Sequence, residues 1–184
     1  MSRPREVDLA ALLAAVVADL QAGFPALVTV EEYSDDHIEE RRLPVPPAAL
    51  VDLMELEPEP EEDPGTGQTP VSIRFEVSLV ISFSEQNAER SVRVLAAAVA
   101  HRIAGSRFGQ PIGRAQIVAV EPQSFAPELD QYVAWRVEWF HKPAYLGPLE
   151  WPLEGTPVTK VHVGREPDTG PGNELEYEYF EGEA

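Results

Sequence analysis

Four histidines and a surplus of carboxylates are the residues of this chain best equipped for chemistry, and their spacing argues against most of it. His37, His101, His141 and His162 stand apart in the sequence, with no HxxxH or HxH pair. A histidine-anchored metal centre would have to be assembled from distant segments. His37 has the densest company of ligand types, Asp35, Asp36, Glu39 and Glu40. In a polar stretch that ends in proline, that company reads as a solvated loop. His101 falls near the end of a helical stretch, where a partial positive charge suits the helix dipole. Asp and Glu number 32 among 184 residues, so paired carboxylates are easily found. Acid–base catalysis needs two carboxyl groups in contrasting surroundings, whereas the acidic runs here lie in segments without strand or helix periodicity.

Other reaction centres are missing their residues or motifs. Cysteine is absent, which excludes a thiol nucleophile, a thiolate zinc site and a disulfide framework. The sequence contains no G-x-S-x-G elbow, no phosphate-binding G-x-x-x-x-G-K-[ST] loop and no G-x-G-x-x-G turn. Gly65-Thr66-Gly67 sits beside Glu and Asp residues that would repel phosphate, so it reads as a turn. Gly105, Gly109 and Gly113 lie in a polar linker and mark flexibility. Trp135 and Trp139 alternate along a strand pattern, the placement of core residues more than of an aromatic binding platform. A small acidic hydrolase is therefore a remote alternative.

The charge narrows the partners. Lys and Arg total 14, giving a formal net charge of −18, and the two lysines are Lys142 and Lys160. Binding to nucleic-acid phosphates needs clustered cations, and no run of four exists here. Mimicry of nucleic-acid charge is also disfavoured, because many of the carboxylates lie in loops and not on a rigid face. The apolar stretch from Leu9 to Ala18 follows Arg3 and Arg5, superficially like a signal peptide. However, Glu6 and Asp8 interrupt the basic region, and Leu9, Leu12, Leu13, Val16, Val17 and Leu20 form one stripe of an amphipathic helix. No apolar run reaches the ~18 residues of a membrane span. The chain reads as soluble and unexported.

The elements follow from periodicity and breakers. A helix from about Arg5 to Ala22 ends at Gly23 and Pro25, and a short strand, Ala26–Tyr33, comes next. Ala48–Leu56 fits a strand or a short helix; flanking prolines favour the strand. Along Val71–Phe83 every odd position is apolar and most even positions are polar, predicting one buried face and one that is solvated or lightly covered. Ser82 and Glu85 form a capping box for a second helix reaching Ala104, with Val92, Leu95, Ala96, Val99 and Ile103 on one stripe. Strands Ala115–Val120 and Tyr132–His141 complete the domain, the latter with Val133, Trp135, Val137 and Trp139 on one face. The fold class is α+β: a mixed, mainly antiparallel sheet with two helices packed on one face, long loops and an extended C-terminal tail. Residues 1–142 make the domain. Residues 143–184 form an acidic segment that packs on it or on a neighbouring subunit, with one strand-like patch at Val158–Val163.

The excursions 34–47, 57–70 and 143–184 exceed what a compact monomer normally carries, and their usual use is contact with partners. The order of phrases supports that direction: "FPALVTVEEY", then "PAALVDLMELEPEPEEDPGTGQTPVSIRFEVSLVIS", "AERSVRVLAAAVAHRI", "GSRFGQPIGRAQIVAVEP", "DQYVAWRVEWFH" and "PDTGPGNELEYEY". From about Glu6 to Tyr179 this resembles the Mu-like phage tail protein family, similar to the tail terminators of contractile-tailed phages and related tail-like particles. The resemblance implies a structural virion protein, assembled in the host cytoplasm. It would be a homohexameric ring that caps the tail tube, abuts the sheath and presents the surface joined by the head–tail connector. Another head–tail joining or adaptor protein is the alternative. It implies no catalytic residue, cofactor, metal or membrane; DNA would pass through the ring without specific binding, and an acidic lumen would repel its phosphates. The interface residues expected on this reading are Asp35, Asp36, Arg41, Arg42, Glu61, Glu62, Asp63, Arg107, Trp151, Tyr177 and Tyr179.

Overall fold

The computed structural model describes residues 6–33, 44–123, 132–149, 160–163 and 177–181. The chain divides into two compact units, Met1–Glu150 and Trp151–Ala184. In the first, helix α1 spans Leu9–Gly23 and starts later than the periodicity suggests. Asp8 takes the N-cap, its carboxylate accepting from the Ala11 amide at 3.0 Å. Strand β1 (Thr29–Glu32) is followed by β2 (Ala48–Pro58), a 3-10 turn at Pro60–Glu62 and β3 (Thr69–Ser82). Helix α2 (Ala88–Ile103), β4 (Ala115–Pro122) and β5 (Tyr132–Leu146) complete this unit. The second unit holds an antiparallel pair, β6 (Lys160–Val163) and β7 (Glu178–Glu181). Strand β6 falls within the expected Val158–Val163 patch.

The five-stranded sheet has the order β1-β2-β3-β5-β4, with β1 parallel to β2 and every other pair antiparallel. It is the expected α+β arrangement, and both helices cover one face. Leu12, Val16 and Leu20 of α1 and Val92, Ala96, Val99 and Ile103 of α2 meet the odd residues of β3 in one core. Trp139 of β5 stacks on Phe75 with ring centroids 5.3 Å apart, both fully buried. Arg102 of α2 holds Asp19 of α1 through two 2.8 Å hydrogen bonds, joining the helices at the surface.

Of the two outcomes open for the even face of β3, it is the covered one that holds at Ser72, Glu76 and Val80, all three buried. Three expectations are corrected. Phe83 does not continue the buried row; β3 ends at Ser82, and Phe83 lies in the following turn at 61 % exposure. Ser82 is no helix cap either. Its backbone is engaged in the ladder opposite Tyr132 and its hydroxyl accepts from the Ser84 amide. The N-cap of α2 is Asn87, held left-handed at φ 61° without a side-chain bond. Finally, β5 runs past His141 to Leu146, because Thr69, Pro70 and Val71 offer it partners. The boundary of the compact unit accordingly falls at Glu150.

The end of β5 is pinned by a buried polar chain. The Trp139 indole N–H donates to His141 Nε2 at 3.1 Å, and His141 Nδ1 lies 2.9 Å from the Gly113 carbonyl. With Nε2 accepting, Nδ1 must carry the proton and donate, so the fully buried ring is neutral. The Gly113 amide in turn donates to the Pro143 carbonyl at 2.7 Å. A Cβ at Gly113 would stand 1.9 Å from the Lys142 carbonyl oxygen, so this approach admits glycine alone. Gly113→Ala is expected to lower the free energy of unfolding by about 1–3 kcal/mol, read from urea denaturation. Burial pushes the His141 pKa below its ordinary 6.5, against the opposing effect of the Gly113 bond. The unfolded chain then binds a proton that the native ring refuses. Stability from this residue is complete above about pH 6.5 and drains away as the pH falls from there through the lowered native value. The urea midpoint should drop between about pH 7 and 5, and His141→Asn should flatten that part of the profile.

Candidate interaction surface

The sheet face away from the helices carries the densest group of ionisable side chains among the described residues. Alternation along β3 and β5 aims Arg74, Glu76, Arg136 and Glu138 to this side. Register places Glu76 directly opposite Glu138, a like-charge pairing that destabilises a sheet when left alone. The neighbouring arginines neutralise it diagonally: Arg136 Nη1 reaches Glu76 at 2.8 Å and Arg74 Nη1 reaches Glu138 at 2.8 Å. Arg136 also binds Glu121 of β4, and Arg74 lies 3.6 Å from Glu55 of β2. The ladder thus crosses four strands. Hydrogen bonds to Glu121 and Glu76 raise the Arg136 pKa, and the bond to Glu138 raises that of Arg74. Both guanidinium groups are locked in their charged form, so they work as fixed cations and not as proton carriers. Beside the ladder, Ala48 and Val80 pack with Tyr132 and Ala134 in a small apolar cluster.

A second ionic cluster ties the β2–β3 connection to β5. Lys142 Nζ binds Glu59 at 2.7 Å and lies 4.0 Å from Glu62, while the Tyr145 hydroxyl donates to the Glu62 carbonyl at 3.4 Å. The bond to Glu59 raises the Lys142 pKa; burial, ahead of the nearby Glu62 and Asp63 charges, raises that of Tyr145. Glu62, expected at an interface, is therefore partly engaged within the chain. Glu61 and Asp63 beside it are exposed, as is Arg107 in the loop before β4. Tyr177 is half-buried just before β7, whereas Tyr179 is placed by its backbone alone, opposite His162. Asp35, Asp36, Arg41, Arg42 and Trp151 lie outside the described residues, as does His37. Trp139 is core, and Trp135 is half-buried under the Arg93 guanidinium, 5.9 Å from the ring centroid.

Among the described residues, no three His, Asp or Glu side chains gather closely enough to hold a metal ion, and no helix is long and apolar enough to cross a membrane. No model of a known protein family matches the chain, and no curated protein matches it. The ladder was missed by motif reading, although opposite charges two residues apart in β3 and again in β5 were a usable signal. Its chemistry is cohesive: each carboxylate is answered by a cation within the same chain. Arg136→Met would leave Glu76 and Glu138 facing each other with a single cation. Because the Arg136 side chain keeps 32 % exposure, the expected loss is about 1–3 kcal/mol, less than for a fully buried pair. Adding Glu76→Gln should return part of it, as measured by chemical denaturation.

Proposed function

We propose that the chain is a structural ring subunit of a phage tail or tail-like particle, acting as a tail terminator that caps the tube and offers the joining surface for the head–tail connector. The observation that carries this reading is the sheet itself, an open sheet of five strands whose two margins differ. Strand β1 runs parallel to β2 along Ala48–Val51, and from Leu53 onward the ladder partners of β2 among the described residues are those of β3. At the other margin the ladder partners of β4 from Gln116 to Glu121, among the described residues, are those of β5. Two different margins on one subunit are what a heterologous, head-to-tail ring uses, since each copy offers one surface and receives the other. The resemblance in phrase order from Glu6 to Tyr179 supplies the particular class of ring. The cohesive role of the charged ladder fits a scaffold better than a reaction centre.

The test is mass and capping. By light scattering the full chain should reach hexameric mass, alone or on addition of a tail tube protein from the same genome. In electron micrographs it should sit at tube ends and limit their growth. A stable monomer that leaves tube polymerisation unchanged would overturn the proposal.

A further inference from the structure

Among the described residues His141 is a fully buried ionisable side chain, and no charged group acts on its ring. Phe75 meets the ring edge-on at 5.9 Å and Phe108 does the same at 5.7 Å; Ile73 and Ala115 are its ladder neighbours. None of these four can carry a charge. The charged groups on the surrounding elements are engaged elsewhere or face solvent. Arg74 and Glu76 of β3, Arg136 and Glu138 of β5 and Glu121 of β4 form the ladder on the other face of the sheet. Lys142 binds Glu59, and Arg107, Arg114, His101 and Arg102 are exposed.

Residues 106–113 cover one side of this ring. Their hydrogen bonds to the rest of the described chain lie at the two ends. Ala115 N–H donates to the Ser106 carbonyl at 2.8 Å, Gly113 N–H to the Pro143 carbonyl at 2.7 Å, and His141 Nδ1 reaches the Gly113 carbonyl at 2.9 Å. The bonds between those ends are internal: Phe108 N–H to Ser106 Oγ, Gln110 N–H to the Arg107 carbonyl and Ile112 N–H to the Gln110 carbonyl. The middle of the loop is therefore seated by side chains, Phe108 on the His141 ring and Ile112 in the core. Phe108 is also left-handed at φ 50°, an unfavourable backbone for a bulky residue that packing has to maintain.

We propose that His141 is an acid-sensitive latch: a proton taken from water onto Nε2 breaks the bond with Trp139 and releases residues 106–113 while the sheet stays paired. In the neutral ring Nε2 accepts the indole N–H at 3.1 Å. Once protonated, Nε2 is a donor, and the indole can only donate, so two N–H groups confront each other. The imidazolium would also stand among apolar groups with no carboxylate to answer it. Burial sets the balance against the charged ring, over the opposing pull of the Gly113 carbonyl. Relief requires water, and the ring has two walls. Phe75 and Trp139 are fully buried on the long β3–β5 ladder, whereas Phe108 is half-buried on a loop bonded at its ends. The loop yields first.

The latch goes beyond the ring reading and does not depend on it. Amide hydrogen exchange of the full chain, corrected for the intrinsic effect of pH, tests it between pH 7.5 and 5.5. The Phe108, Ile112 and Gly113 amides should be less protected than those of Val77 and Leu79 in β3 at every pH. Their protection should fall about five- to tenfold across the range, because the opened ring regains its ordinary affinity for a proton. His141→Asn keeps a donor for the Gly113 carbonyl without a titrating ring, and should hold loop protection level to within about twofold. Loop amides as protected as those of β3 throughout would overturn the latch, since the ring would then meet water only on global unfolding. Loop amides that open more readily but equally at pH 7.5 and 5.5 would overturn it too. The wild-type series decides the matter even where the variant does not fold.

Discussion

The structure depends on burying β3 along both of its faces. This 14-residue strand lies at the centre of the sheet, with its odd residues under the helices and Ser72, Glu76 and Val80 enclosed on the other side. An apolar row is stable under helices without further help. A carboxylate in a buried position is stable only with a partner, because removing it from water costs several kcal/mol unless charge and hydrogen bonds replace the solvent. The Arg136–Glu76 contact answers that cost, and the diagonal Arg74–Glu138 contact extends it. The pairing order β2-β3-β5-β4 is therefore cemented twice, by apolar contact above and by ions below.

Placing β3 at the centre consigns other strands to the margins. The short parallel strand β1 and the far end of β2 fall at one side, β4 at the other. Edge strands invite association, and proteins normally blunt them with charge and irregular pairing. Irregular pairing is present on both sides, between Leu53 and Glu55 in β2 and between Ile117 and Ala119 in β4. The overall acidity first appears as a property of the whole molecule that deters nucleic acid. Along the chain it is uneven: Asp52 to Asp63 holds seven carboxylates, while the stretch from Arg90 to Val120 holds none.

The neutral, fully buried His141 and the close packing of Gly113 on Lys142 show a different economy at the end of β5. The loop from Ala104 to Arg114 looks flexible from its three glycines. Yet it is bonded to β4 at Ala115, to β5 at Pro143 and to the His141 ring. Its glycines serve left-handed backbone at Gly105 and Gly109, and backbone contact at Gly113. The arginines it carries therefore project from a held platform and not from a loose linker.

The element order, the α+β class and the stripes of α1, α2 and β3 could all be read from the sequence, because period and breakers are local properties that burial amplifies. Val92, Ala96, Val99 and Ile103 face the core as their spacing requires. The absence of cysteine chemistry and of the familiar catalytic motifs was likewise a matter of residue type alone. Local reading failed where a distant strand competed for the same backbone. Ser82 is claimed by Tyr132 before it can cap a helix, and β5 is extended by the start of β3. Tertiary structure alone decided that Glu76 would be buried opposite Glu138 and rescued by Arg136. That depends on which strands are neighbours, and strand neighbours are set by the packing of the whole sheet, which no local window contains.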